Sequence, residues 1–278
     1  MDRTPPTARE TPVFHRNAEL PFIQARAIAD GRQVCYARHS HPWFSIGAIT
    51  QGQSTYLHQH TTHQVAAGTV VWMNPGQVHA CNPIDNQPWS YLMLYVDCDW
   101  LASLQQACGW NNASAFLPLA GSHCTEAALF REVQCVFAHV ADATLEPLQR
   151  HERVVQGFMR ILGHLGERQP DIQPARLNSR VEQAAAWIDR HFQETIRLPD
   201  ICRAANLSEA YLIRAFEQHY HMTPHAWLVN RRIQHASQRL REGADLAALA
   251  QETGFADQAH FQRAFKKHLA ATPGQYRD

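Results

Sequence analysis

The chain has 278 residues with 25 Lys+Arg against 25 Asp+Glu, and 45% of it is hydrophobic. That length suffices for two domains with separate cores, and the zero formal charge means that any preference for phosphate must come from local placement. No run of about 18 apolar residues is present to cross a membrane, and the seven cysteines, odd in number and without a C-x-x-C pair, fit reduced thiols of a cytoplasmic protein better than a disulfide framework.

Residues 1–19 read as a flexible arm, charged and proline-rich at the start, with no apolar core of a secretory signal. From Phe22 to Asp97 the pattern is that of strands: FSIGAIT alternates, STYLH follows a Gln-Gly-Gln turn, TVVWM is a short apolar run after Gly68, and WSYLMLYVD alternates again. Between Arg38 and Asp85 there is no Asp, Glu, Lys or Arg, which suits a barrel whose inner face stays dry or holds a ligand. Trp43, Phe44, Tyr56, Trp72, Trp89 and Tyr91 are the candidate pocket wall. His58, His60 and His63 fall near a hairpin tip and are expected to face solvent.

His39-Ser40-His41 followed by Gly68 to His79 resembles the metal pattern of the cupins, in which histidines of two strands and a glutamate hold a divalent ion. The glutamate is missing, since Ser45 and Ile46 stand where it is expected. Three imidazoles alone can hold zinc, but the incomplete pattern points to a ligand-contacting or structural role for His39, His41 and His79, with no metal, no cofactor and no enzyme activity. His39, His41, Trp43, Tyr56, Trp72 and His79 are therefore the expected effector contacts.

From about Thr125 the period becomes helical. Leu129, Val133, Val136, Phe137 and Val140 mark one helix, and Leu148, Val155, Phe158, Leu162 and Leu165 another whose apolar strip packs on the barrel or on a second copy of the chain; the expectation is a homodimer held by this helix. GERQPDIQPARLNS then reads as a linker. Up to Pro174 there are 11 Lys+Arg against 14 Asp+Glu, and from Ala175 onward 14 against 11, so the second part is the basic one. The predicted division is residues 1–170, with a helical part at about 125–168, and residues 175–278.

The last hundred residues carry one pattern written twice. LPDICRAANLSEAYLIRAFEQHYHMTPHAWL begins at Leu198 and LAALAQETGFADQAHFQRAFKKHLAATPGQYR at Leu246, with the early apolar positions offset by 48 and the later ones by 49. Each copy predicts a short helix, a tight turn carrying Asn206 or Gly254, and a second helix with one apolar face, at about 198–219 and 246–268. That is the build of a helix that enters a major groove. Ser208 and Asp257 are expected caps of the second helices, and Pro224 and Pro273 sit at helix starts.

The doubled motif, its connecting helix and the final GF…Q..F.R.FK…..TP..YR pattern resemble the AraC/XylS family of transcription regulators, closely over Ser179 to Arg277. More loosely, Arg38 to Asp97 resembles the small cupin-type sensing barrel of such proteins. The resemblance implies an α+β multidomain chain with a cupin-like β-barrel and helical dimerisation segment, then an all-α domain with two helix-turn-helix motifs. It implies a cytoplasmic, nucleoid-associated regulator, an activator that binds promoter DNA, a small-molecule effector and RNA polymerase. Its base-reading places fall on Ala210, Ile213 and Arg214 in the first motif, and Gln258, Gln262 and Arg263 face outward in the second. Arg suits guanine, Gln suits adenine, and Ala210 and Ile213 offer only apolar contact to thymine methyls, extra core packing being the alternative for Ile213. Lys266, Lys267 and His268 follow, where they would meet phosphate.

Overall fold

The computed structural model describes residues 12–110, 115–145, 147–166, 179–196, 198–255 and 257–277; within these, the side chains of 147–149, 152, 209, 210, 214 and 247 are not among those described. The linker expected between the domains lies largely outside the described residues, as do residues 1–11 of the expected arm. The chain divides into two compact units, one made of Met1–Val34, His41–Gln77 and Cys81–Ile172, the other of Cys35–Ser40, Val78–Ala80 and Gln173–Asp278.

The first is a sheet unit. Its strands are β1 (Val13–Arg16), β2 (Ile23–Ile28), β3 (Phe44–Gln51), β4 (Gln53–His58), β5 (Thr61–Ala66), β6 (Val70–Met73), β7 (His79–Pro83), β8 (Ser90–Val96) and β9 (His123–Cys124). They form a six-stranded sheet in the order β1-β2-β8-β3-β6-β9 and a three-stranded sheet in the order β5-β4-β7. The strands expected to close a barrel thus form two sheets, with no closed ring of paired strands among the described residues. Part of the expected arm is structured, since Val13 to Arg16 pair with Ala27 to Gln24.

Alternation assigns the faces of the large sheet. Ile46 stands opposite both Trp72 and Leu94, and Phe44 opposite Val96. Together with Ala25, Ala48 and Val70 these side chains form one core with the helices. The helices are α1 (Cys98–Ala107), α2 (Ala127–Ala141) and α3 (Pro147–Gly166). Asp97 caps α1, accepting from the Asp99 and Trp100 amides. Leu129, Val133, Val136 and Val140 of α2 and Val154, Phe158, Ile161, Leu162 and Leu165 of α3 complete that core, and burying each large side chain contributes about 1.5–3 kcal/mol. At Gly47 in β3 a Cβ would come within 2.5 Å of the Leu92 carbonyl, so the strands can meet there only over glycine.

The helical unit contains α4 (Ser179–His191), α5 (Leu198–Ala205), α6 (Glu209–Tyr220), α7 (Pro224–Arg241), α8 (Leu246–Glu252), α9 (Gln258–Leu269) and α10 (Pro273–Arg277). The long α7 packs on α4 and α6 as well as on α8, α9 and α10. Val181, Ile188, Ile201, Leu212, Phe216 and Leu228 make the first core. Leu249, Phe255, Phe261, Phe265 and Tyr276 are the matching buried set of the second copy.

Candidate nucleic-acid interface

The repeat visible in the sequence recurs in the backbone of the two motifs. Asn206 and Gly254 both turn with positive φ, 51° and 76°, between the two helices of each motif. His221 and Ala270 end α6 and α9 in the left-handed conformation. Thr223 and Thr272 then accept from the Ala226 and Gln275 amides, three residues on, to open the next helix. The copies differ at the caps of their second helices. Asp257 accepts the His260 amide at 2.6 Å, whereas Ser208 sits in extended conformation and its side chain makes no cap hydrogen bond.

On α9, Phe261, Ala264, Phe265 and His268 face the core while Gln258, Gln262, Arg263, Lys266 and Lys267 are exposed. His268, expected beside the lysines as a phosphate contact, is instead buried and donates its Nδ1 proton to the Ala264 carbonyl at 2.8 Å. Burial, then the charge of Lys267, holds its pKa below the usual value, and this ring belongs to packing. On α6, Leu212 and Phe216 are fully buried, while Tyr211 and Ile213 are exposed, Ile213 by 38%. An isoleucine so exposed on a polar helix face is available for apolar contact and is not an extra core residue. Ala210 and Arg214 lie on the same helix, but their side chains are outside the described set.

Arg232 of α7, to which the sequence pattern assigns no role, holds the two motifs in one piece. Its Nε donates to the Phe192 carbonyl and its Nη2 to the Glu194 carbonyl, both at 2.7 Å, at the end of α4. The same guanidinium lies 5.7 Å from the Phe255 ring. Gly254, in the turn of the second motif, approaches so closely that a Cβ would stand 2.6 Å from the Gln193 carbonyl. Nearby, Arg239 pairs with Glu252 at 2.8 Å and Glu242 at 2.9 Å, fixing α7 to α8.

The six expected effector residues do not meet in one place. His39 and His79 pair in an isolated antiparallel bridge, N···O 3.1 and 2.9 Å, with rings 4.4 Å apart, on the two short segments that group with the helical unit. His41 belongs to the sheet unit; its Nδ1 donates to the Trp43 carbonyl at 2.9 Å and its Nε2 faces the Ser45 hydroxyl at 3.4 Å. Burial holds its pKa down to about 4. Tyr56 is fully buried and donates to the Trp72 carbonyl at 2.9 Å; Trp72 donates to the Ala120 carbonyl and lies in the core with the helices, and Trp43 is partly buried. No group of three His, Cys, Asp or Glu among the described residues is set to hold a metal ion. His58 and His63 do not face solvent as expected: both are half-buried and turned toward the Tyr56 ring, because alternation along β4 and β5 puts them on its side of the small sheet. An open groove of about 630 Å³ beside β1, lined by Arg16, Glu19 and Arg150 among others, contains none of the expected residues.

Comparison with known proteins agrees in both units. A model described as an AraC-like ligand binding domain matches residues 22–185, and a helix-turn-helix domain model matches residues 201–278. The lactose operon transcription activator of Staphylococcus xylosus is 21% identical over 234 residues, covering 82% of this chain and 81% of that protein. The transcriptional activator RhaS of Salmonella paratyphi A is 22% identical over 288 residues, covering 95% and 96%. Among solved structures, a single-residue variant of apo ToxT from Vibrio cholerae has a similar fold, with a TM-score of 0.60 at 13% identity over 95% of this chain and 98% of that one. Among the described residues no helix is long and apolar enough to cross a membrane.

Proposed function

The chain belongs to the AraC family of transcription regulators, and from that premise we propose that it occupies a specific promoter site through both helix-turn-helix motifs and activates transcription there in response to a small-molecule effector held by the sheet unit. The observation that carries the proposal is α9, which turns Gln258, Gln262, Arg263, Lys266 and Lys267 outward on a helix whose opposite face is locked into the core. Arg263 suits guanine and Gln258 or Gln262 adenine, while Lys266 and Lys267 near the helix end suit phosphate. On α6, Ile213 supplies an apolar contact, with Ala210 and Arg214 as its partners in base reading.

Activation is supported by relatives named as activators, and it makes RNA polymerase a partner. Of the expected effector contacts, His41 and Trp43 are the ones proposed in the sheet unit, Tyr56 and Trp72 being taken up by packing. The same reading places the protein in the bacterial cytosol, acting without catalysis or a cofactor. We also propose a homodimer. The α3 strip cannot be its seam, because Phe158 and Leu162 are already inside the protomer, and the outward side of α3, with Met159 41% exposed, takes that role.

The test selects a duplex from genomic fragments with the full chain, then titrates it against a scrambled duplex at several salt concentrations. Specific binding on the order of 10³-fold or more tighter than to the scrambled sequence is expected. Equal affinity for the two duplexes would sink the assignment.

A further inference from the structure

The nine strands contain Arg16, Arg26 and five histidines, and not one Asp or Glu. Three of those histidines gather over one ring. His58, His63 and His123 lie with ring centroids 5.9, 6.2 and 6.4 Å from that of Tyr56, and His63 and His123 are 4.3 Å from each other. The Tyr56 hydroxyl is engaged with the Trp72 carbonyl and the ring is fully buried, so the tyrosine is the floor on which three partly exposed imidazoles pack. His58 is oriented by Gln77: the amide oxygen already accepts the Asn74 main-chain N–H, and it accepts the His58 Nε2 proton at 3.0 Å, which leaves Nδ1 to change protonation. The Ser122 hydroxyl lies 3.2 Å from His123 Nδ1.

We propose that this cup of His58, His63 and His123 over Tyr56 is the anion-binding end of the effector site, taking the carboxylate of a small organic acid. The proposal rests on the reading of the sheet unit as the effector domain. A cationic ligand would meet imidazoles with no strand carboxylate to receive it. A carboxylate meets N–H donors, and once one ring is protonated the hydrogen bond is charge-assisted and roughly twice as strong as a neutral one. Burial disfavours the charged form of His58 and His123 and is the main reason that both lie below the usual imidazole value; Gln77 raises His58, and proximity to the other histidines lowers both further. An arriving anion offsets that repulsion.

The experiment uses the full chain with ¹³C-labelled histidine, the Cε1–H signals being assigned with His58→Gln, His63→Gln and His123→Gln. Acetate and benzoate are titrated against the matched neutral amides, acetamide and benzamide. The carboxylates should move the three signals saturably and bind at least about tenfold tighter than the amides, with His63→Gln and His123→Gln each costing about tenfold. Carboxylates that leave the three signals unmoved, amides that match them, or zinc chloride moving them stoichiometrically would each overturn the anion site. A parallel thermal-shift series with glucose and putrescine separates the two readings. If either stabilises the chain while the carboxylates are silent, the effector domain stands and the anion falls.

Discussion

Arg263 and Lys267 stand about one turn apart on the exposed side of α9, yet they address different parts of a duplex. Arg263→Ala is expected to cost about 1–3 kcal/mol on the selected site and to flatten preference at one base pair. Lys267→Ala should weaken selected and scrambled DNA alike and lower the salt slope by about one. Binding titrations at several salt concentrations check both, and equal losses on the two duplexes for Arg263→Ala would refute base reading by that residue. In the sheet unit, His41 predicts an acid limb. Its imidazole is held from 6.5 down to about 4, so as pH falls through that window the unfolded chain takes up a proton that the folded ring refuses, and stability is lost. With the ring partly buried, the loss is on the order of 2 kcal/mol. Urea midpoints of wild type and His41→Gln between neutral pH and pH 4 should converge as pH falls, and parallel curves would show that His41 is not the titrating group. The outward residues of α9 were legible because a helix with Phe261 and Phe265 inside has only one other side. The fate of His268 was not, since one residue beyond Lys267 the helix turns back to the core.

At the scale of elements, α3 shows why an apolar strip does not name its partner. Phe158 and Leu162 recur with the spacing of a dimer seam, but α2 and the large sheet supply their cover within the protomer. Phe158→Glu should therefore unfold the sheet unit, at a cost of about 4 kcal/mol or more, rather than yield a folded monomer. Met159→Glu leaves the core intact, and its expected result is a folded chain of half the mass by sedimentation; an unchanged dimer would place the interface elsewhere. The histidine cup was illegible for a related reason: which side of β4 and β5 faces Tyr56 depends on pairing with distant strands, and alternation alone leaves the two faces equivalent. Most strands and helices were legible from period and the turn at Gly254 from its residue type, whereas β1 fell in the expected arm and α1 and β9 carried no pattern that named them. Gly254→Ala combines a φ of 76° with a 2.6 Å approach to the Gln193 carbonyl, and should destabilise the helical unit by at least about 1 kcal/mol in thermal unfolding.

For the whole molecule, the expectation is that residues 175–278 expressed alone stay helical and bind promoter DNA, because each motif has its own buried cluster and α7 joins them. Circular dichroism and gel retardation at low salt test this, and a fragment without helical signal would refute the boundary. The doubled motif was legible as two copies, but not their coupling. Arg232 is one arginine among many on α7, and nothing in its spacing announces that it hydrogen-bonds the end of α4 and stacks beside the turn of the second motif. That clamp makes the helical unit a ruler. Two reading heads fixed to one bar accept one interval between half-sites, and DNA has its own phase of about 10.5 base pairs per turn. Inserting about 5 base pairs between the half-sites carries the second to the far side of the duplex, where α9 cannot follow, whereas about 10 restores the face but not the distance. Both insertions should reduce occupancy to that of a single half-site, and a chain that tolerates either would have a hinge where Arg232 makes a strut.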